Sequence, residues 1–376
     1  MSARTRSRST LVAVALIAAV TGSALLTGCG PDTPGTAVAA PGAGSPGQSS
    51  GPGNVASAAP ISAGGSSAAP TGGARPGASA KPTGSARPTS PTSPAGPSGT
   101  VAAPSLNGTA HTGLTISNGT NFVVMNGTSV DFGTVVRDLA WSPDGSRAAF
   151  IDGSGNLDTS KPDGTGRVTV AVAPSGESWS HPTWQVTASG DANGVPPKNN
   201  ILFAASKGGV SRLEGVLATA VHGTPAELSL NIEGGEDLPA NPTTGNAWPN
   251  VGGKVGSAVY ANSANGDVYI RDDYLRQQGG VYQQGSEPAL SPDQLTIAFV
   301  RSVDGHDHLF AGNGVPGQPA KDLTPAATTD YSEPAFSPDG KTIAVRTPQG
   351  VATLPVNGSA VPKLISTVAG LPAYRG

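Results

Sequence analysis

A phrase of about fourteen residues occurs three times in this chain, and it limits the possible folds more than any other feature. The copies read "DLAWSPDGSRAAFI" at 138–151, "EPALSPDQLTIAFV" at 287–300 and "EPAFSPDGKTIAV" at 333–345. Each copy consists of a short apolar strand, a turn and a second apolar strand. Such repetition indicates that one small supersecondary unit is built several times along the chain.

The turn inside each copy reads Ser-Pro-Asp-Gly or Ser-Pro-Asp-Gln. Proline presets the backbone angle φ at the second turn position, aspartate accepts hydrogen bonds from nearby backbone N–H groups, and glycine adopts the left-handed conformation. We therefore predict that three aspartates have a structural role in these turns and no catalytic role: Asp144, Asp293 and Asp339.

Weaker copies lie between the clear ones, in "SHPTWQV" at 180–186 and "NAWPN" at 246–250. The large residue that ends each first strand then falls at Trp141, Trp184, Trp248, Leu290 and Phe336, at intervals of 43, 64, 42 and 46 residues. A four-stranded propeller blade takes about 40–45 residues. The pattern predicts an all-β propeller, with longer loops inside the interval of 64 residues.

The last residues predict how the propeller closes. "GLPAYRG" at 370–376 repeats the first-strand pattern, while residues 112–135 contain three strands without such an opening. We expect the C-terminal strand to complete the blade whose outer three strands come from 112–135, since this closure leaves no unpaired end in the ring. The expected number of blades is six.

The repeats resemble the TolB-like, WD40-like propeller family, in which the motif is written S-P-D-G-x-x-I-A-F. Residues 142–150, 291–299 and 337–345 carry the resemblance, which covers about 112–376. The resemblance implies a six-bladed propeller. In TolB an α/β domain precedes the propeller and the protein works in a periplasmic translocation complex, whereas a different segment stands at that place here.

That segment and the residues before it indicate an anchored envelope protein. Three arginines precede the apolar run "LVAVALIAAV" at 11–20, and "LLTGCG" follows. This is the order of a secretory signal, and 26–29 resemble a bacterial lipobox, in which the cysteine is lipidated and becomes the first mature residue. We predict a signal peptide at 1–28, lipidation of Cys29, a disordered tether rich in Pro, Gly, Ser and Ala at 29–105, and a propeller domain at 106–376.

Charge narrows the possible partners. Residues 106–376 contain 16 Lys and Arg against 24 Asp and Glu, which argues against binding nucleic acid or adsorbing directly on anionic lipid. We expect a monomer on the outer face of the cytoplasmic membrane, attached to that membrane only through the lipid. The expected partner is an envelope protein or polymer.

Propellers place their sites at the channel mouth, where the inner strands begin. The residues three before each large residue are Asp138, His181, Gly245, Glu287, Glu333 and Leu371. The acids of this set, with the histidine, are candidate binding residues. One interpretation is a site for a cation or a ligand amine, because converging carboxylates repel one another. The other, which we favour, is that Glu287 and Glu333 accept hydrogen bonds from backbone amides between blades; we predict no metal and no cofactor.

The chain contains no catalytic signature, so we predict a non-catalytic protein-interaction module. The alternative is a propeller that binds or cleaves envelope glycans at the channel mouth, using His181 with the neighbouring acids. Trp179 lies outside the repeat register and is the candidate residue for facing a glycan. The other large aromatic residues are expected to form the core between blades.

Overall fold

The structure is a computed structural model, and it describes residues 105–188, 196–230, 240–253, 255–272 and 279–376. The described residues form six four-stranded antiparallel sheets, and among them there is no helix long and apolar enough to span a bilayer. The predicted signal peptide, the lipidation site at Cys29 and most of the tether lie outside the described residues. The chain is a six-bladed β-propeller, as predicted.

In blades 1 to 5 the strands follow chain order, from an inner strand at the channel to an outer edge strand; blade 6 differs only in its inner strand, which comes from the C-terminus. Blade 1 consists of β4 (Arg137–Trp141), β5 (Ala148–Ile151), β6 (Leu157–Ser160) and β7 (Val168–Ala171). Blade 2 consists of β8 (Glu177–Thr187), β9 (Lys198–Lys207), β10 (Val210–Leu217) and β11 (Ala226–Glu227). Blade 3 consists of β12 (Asn246–Val251), β13 (Ala258–Asn262), β14 (Asp267–Arg271) and β15 (Gly279–Gln284).

Blade 4 consists of β16 (Ser286–Leu290), β17 (Ile297–Val303), β18 (His306–Gly312) and β19 (Lys321–Asp322). Blade 5 consists of β20 (Ser332–Phe336), β21 (Thr342–Thr347), β22 (Gly350–Pro355) and β23 (Lys363–Ser366). Blade 6 takes its inner strand from the C-terminus and comprises β24 (Leu371–Tyr374), β1 (Leu114–Ser117), β2 (Phe122–Met125) and β3 (Thr128–Asp131).

Blade 6 confirms the predicted closure. The inner strand β24 pairs antiparallel with β1, with Leu114 opposite Tyr374 and Ser117 opposite Leu371. The two ends of the propeller thus meet inside one sheet, and the hydrogen bonds of that sheet close the ring. Every blade in the closed ring packs on two neighbouring blades, so the ring has no unpaired end.

The hydrophobic core lies between the blades. The described buried residues form six clusters, and each cluster combines strands of two adjacent blades. Trp141, for example, packs with Val123 of blade 6, and Trp184 packs with Ile151 of blade 1. Both tryptophans are 7% exposed, which confirms their prediction as core residues.

The three repeated turns have the predicted chemistry. In the first, the hydroxyl of Ser142 donates to Asp144 at 2.5 Å and the backbone N–H of Ser146 donates to the same carboxylate oxygen at 3.1 Å. These hydrogen bonds favour the ionised form and lower the pKa of Asp144. The equivalent hydroxyls of Ser291 and Ser337 donate to Asp293 and Asp339 at 2.5 and 2.6 Å.

Blade 2 accounts for much of the long interval in the repeat. Its first three strands have 11, 10 and 8 residues, whereas the first three strands of blade 1 have five, four and four. The extra length that was predicted as loops is therefore partly strand. The remaining extra residues fall in segments that lie partly outside the described residues.

Candidate functional site

The inner strands share a backbone irregularity at the channel mouth. In five of the six blades the pairing of the inner strand with its neighbour shifts register at equivalent positions, over a step of three residues. One non-glycine residue within each shift has a left-handed backbone, with φ between 49° and 55°. These residues are Asp138, His181, Trp248, Glu287 and Glu333. A β-bulge redirects a side chain, and the left-handed conformation is unfavourable for residues with a Cβ.

The bulges correct the sequence alignment in blade 3. Trp248, which was predicted to end the inner strand, occupies the mouth position, and Val251 ends the strand. Gly245, the predicted mouth residue, precedes β12. The proline that follows the mouth residue could have shown this register, because it recurs in five blades, at Pro182, Pro249, Pro288, Pro334 and Pro372.

Two of the candidate acids accept hydrogen bonds from backbone amides of the next blade. The carboxylate of Asp138 accepts from the backbone N–H of His181 at 3.2 Å. The carboxylate of Glu287 accepts from the backbone N–H of Glu333 at 2.7 Å. Each of these bonds joins adjacent blades and supports a residue in a left-handed conformation. The interblade interpretation predicted this arrangement for Glu287 and Glu333; Glu287 has it, and Asp138, which that interpretation did not include, makes the equivalent bond.

The other two candidates meet across the channel. Nε2 of His181 in blade 2 lies 3.2 Å from Oε1 of Glu333 in blade 5. Blades 2 and 5 are opposite each other in a ring of six, so this contact spans the channel mouth. The indole of Trp248 lies beside the imidazole, with ring centroids 6.1 Å apart. We refer to His181 and Glu333 as the cross-channel pair.

Burial and neighbouring charges shift two pKa values in this group. Burial, followed by the negative charge of Glu333, raises the pKa of Glu287 to about 7. Burial by itself lowers the pKa of His181, but the hydrogen bond and charge of Glu333, with the charges of Asp138 and Glu287, outweigh it and raise the pKa. Glu287 is therefore placed to change protonation near neutral pH, and the pKa of His181 lies above its ordinary value.

Two cavities meet at the cross-channel pair. The channel has a cavity volume of about 390 Å³, and prolines and aromatic residues, including Trp184 and Phe336, line its wall. A second cavity of about 380 Å³, which we call the mouth cavity, lies at the channel mouth. Asn118, Arg137 and Arg346 line this cavity. The residues common to both cavities are Asp138, His181, Glu333 and Leu371.

Trp179 does not lie where the glycan interpretation requires it. It is 2% exposed, packs in the core between blades 1 and 2 and contacts Phe203 at a ring-centroid distance of 4.7 Å. Its indole N–H donates to Glu177 at 2.6 Å. The prediction that Trp179 faces a ligand is wrong, because the long strand β8 turns this side chain into the interface. The tryptophan beside the candidate residues is Trp248.

The channel mouth is surrounded by polar side chains, whereas prolines and aromatic residues line the channel wall. In the part of the chain that the structure describes, no three His, Cys, Asp or Glu side chains are grouped so as to hold a metal ion. The sequence reasoning missed Arg137 and Arg346, because neither residue belongs to the repeated motif. Their position follows only from the packing of blades 5, 6 and 1 around the mouth.

Comparison with known proteins gives similarities of fold at low sequence identity. No family model matches the chain, and no curated protein matches it. The crystal structure of TolB from Acinetobacter baumannii is similar with a TM-score of 0.49 and 16% identity, over 70% of this chain and 65% of that one. This chain thus spans somewhat less than two thirds of that protein.

The structure of a putative TolB from Agrobacterium tumefaciens has a TM-score of 0.46 and 17% identity, over 70% of this chain and 90% of that one. A chain in the crystal structure of the mitotic checkpoint complex has a TM-score of 0.40 and 11% identity, over 73% of each chain. By its own sheet topology the protein is a six-bladed β-propeller, and solved TolB structures are among those to which its fold is similar.

Proposed function

We propose that this chain is an extracytoplasmic lipoprotein whose propeller binds a partner protein at the channel mouth without catalysing a reaction. The anchor in this proposal is Cys29, the tether is 29–105, and the propeller occupies 106–376. The tether holds the propeller at a distance from the outer face of the cytoplasmic membrane, where the propeller engages a protein of the cell envelope.

The observation that carries the proposal is that the polar groups of the mouth bind one another and the backbone of neighbouring blades. Asp138 and Glu287 bind backbone amides of the neighbouring blades, and Glu333 contacts His181. These groups hold the ring together and leave a cavity of about 390 Å³. The prolines of the inner strands have no N–H group and a fixed φ, so the wall is rigid. A preformed concave surface loses little entropy when it binds.

A site-specific photocrosslinker in the full-length, lipidated protein tests this proposal in cells. One crosslinker replaces Asn118, which lines the mouth cavity. The matched control replaces Val361, which is 80% exposed and lies between β22 and β23, at the opposite end of the propeller from the mouth. We expect one envelope protein to be captured from position 118 and not from position 361. The same products from both positions, or no protein product from either, would contradict the proposal.

One observation favours a second candidate, a propeller that binds or cleaves an envelope glycan. Glu287 has a pKa raised to about 7 and lies beside the charge of Glu333. A carboxylic acid with a raised pKa beside a second carboxyl group is the kind of pair that acid–base cleavage of a glycosidic bond uses. The test is release of soluble fragments from purified envelope glycan by the full-length protein. An enzyme would lose this activity in Glu287→Gln with its fold intact, and a binding module would release nothing in either form.

A further inference from the structure

The cross-channel pair lies at the boundary between the channel and the mouth cavity. Asp138, His181, Glu333 and Leu371 are the residues that line both. Of these, His181 and Glu333 come from opposite blades and approach to 3.2 Å. The contact therefore lies on the boundary between the mouth cavity and the channel.

We propose that the cross-channel pair is a pH-sensitive closure of the channel, which separates the two cavities while His181 is protonated and opens a passage between them when that proton is lost. This inference concerns the propeller itself and does not depend on the identity or the existence of a partner.

The bulge that five blades share places both side chains of this contact at the channel mouth. His181 and Glu333 have φ of 51° and 52° within their bulges, a conformation that an ordinary strand residue does not adopt. Unfavourable backbone conformations persist where the surroundings determine them, and they are concentrated at functional sites. Here the surroundings are two carboxylates of the preceding blades, since Asp138 binds the N–H of His181 and Glu287 binds the N–H of Glu333.

The imidazole has few other contacts that would keep it in place. Its Nδ1 is buried and has no hydrogen-bond partner among the described residues. The contact of Nε2 with Glu333 is therefore the polar interaction that orients the ring, and the indole of Trp248 packs beside it. A neutral imidazole keeps at most the hydrogen bond from Nε2–H to Glu333, without the attraction between opposite charges, and no second hydrogen bond of the ring holds it across the channel.

The charges that face His181 decide how strong the contact is. They come from Glu333 of blade 5, Asp138 of blade 1 and Glu287 of blade 4. Loss of the His181 proton leaves a neutral imidazole among these acids. Glu287 loses its own proton in the same region, since its pKa is about 7, so three carboxylates then share the mouth and repel one another.

The mouth cavity contains positively charged groups that can attract the carboxylate of Glu333 in place of His181. Arg137 and Arg346 line that cavity together with Glu333, and both arginines are exposed. A carboxylate released from His181 is attracted toward these guanidinium groups, and that movement is out of the channel. Opening therefore needs only a change of side-chain rotamers, and the blades remain in place.

Tryptophan fluorescence of the purified full-length protein tests the proposal. Trp141, Trp184 and Trp248 line the channel, while Trp179, the fourth, is buried in the blade core. Acrylamide is a small neutral quencher whose own charge does not change with pH. We expect the quenching constant to be at least about two-fold larger at about pH 8.5 than at about pH 5.5, two values on either side of the ordinary pKa of a histidine.

Two substitutions of His181 make the test specific. His181→Gln offers Glu333 a neutral donor, as the deprotonated imidazole does, and cannot carry the charge on which closure depends, so quenching should be high at both pH values. His181→Ala removes the contact, so quenching should be high at both. The matched control is His306→Gln: Nδ1 of His306 lies 3.2 Å from Asp330 in an exposed pair outside the channel. This control should keep the pH response of the unsubstituted protein.

The proposal is overturned if quenching of the unsubstituted protein is the same at both pH values, or if His181→Gln responds to pH as the unsubstituted protein does. Circular dichroism establishes that each variant is folded, and His181→Gln carries the test by itself if His181→Ala does not fold. Because acrylamide replaces any partner, the proposed binding function can fail in the crosslinking experiment while the closure stands, or the reverse.

Discussion

The indole Nε1 of Trp141 donates a hydrogen bond of 3.0 Å to the hydroxyl of Thr115. The same hydroxyl donates to the backbone carbonyl of Ala373 at 2.9 Å. The side chain of Thr115, which is 2% exposed, thus joins β4, the inner strand of blade 1, to the two strands that close blade 6, β24 and β1. The ring is completed by side chains as well as by the β24–β1 ladder.

Thr115→Val should therefore destabilise the propeller. Valine has nearly the shape of threonine but leaves the buried N–H of Trp141 without an acceptor, and an unsatisfied buried donor costs about 1–3 kcal/mol. Chemical denaturation measures the free energy of unfolding. The control is Thr128→Val, at an exposed residue of β3, which we expect to change stability by less than about 0.5 kcal/mol. Equal effects of the two substitutions would show that Thr115 does not join the blades.

Glu287 makes stability depend on pH. Its pKa rises from an ordinary value of 4.5 to about 7 in the folded protein, so the folded state holds a proton that the unfolded state has released. Stability should therefore fall as pH rises from about 4.5 to 7, by up to about 3 kcal/mol. His181, whose pKa is also raised, acts in the same direction: its contribution is complete below about 6.5 and is lost as pH rises through its folded pKa.

Glu287→Gln should reduce this decline, because glutamine does not ionise and its carbonyl oxygen can still accept from the N–H of Glu333. Unfolding free energies measured between about pH 4.5 and 8 test this. The control Glu227→Gln removes a half-exposed carboxylate paired with Arg212 and should leave the pH dependence as it is. If Glu287→Gln and the unsubstituted protein decline in parallel, Glu287 is not the group responsible.

The turn of blade 4 contains a residue that is unfavourable for its conformation. Gln294 has φ of 62° at the position where the turns of blades 1 and 5 have Gly145 and Gly340. Gln294→Gly should stabilise the protein by about 1 kcal/mol, since glycine adopts this conformation without a Cβ penalty. The reciprocal Gly340→Gln, where an added Cβ meets nothing closer than 3.8 Å, should destabilise it by a similar amount. Thermal unfolding of both variants decides the question; shifts of the same sign would refute it.

Cys29 should carry the lipid. Cys29→Ser leaves a chain without cysteine, so we expect the protein to lose incorporation of a labelled fatty acid and to leave the membrane fraction. Gly30→Ser, one residue later, should retain both properties. Fatty-acid labelling in cells followed by fractionation measures them together. Membrane association that survives in Cys29→Ser would mean that another part of the chain provides the anchor.

How the fold follows from the sequence is clearest in the repeated turn. Pro143 and Asp144 act within a few residues of their own position, so the turn and the two strands beside it could be predicted from local chemistry. The intervals between the turns then gave the blade, and the pattern at 370–376 gave the closure and the number of blades. Trp248 was misplaced because an aromatic residue suits either a core position or a mouth position. Pro249, which follows it, could have indicated the register, and the pairing of β12 with β13 establishes it.

The sequence by itself determined the blade, the closure and four of the five bulge residues at the mouth, because these depend on spacing and on short-range backbone preferences. Only the tertiary structure decided how those residues are used. His181 and Glu333 are 152 residues apart, and no local rule pairs them. They meet because a ring of six blades places blades 2 and 5 on opposite sides of one narrow channel. The shifted pKa values follow from that convergence, since burial and Coulomb interaction depend on distances in space and not along the chain.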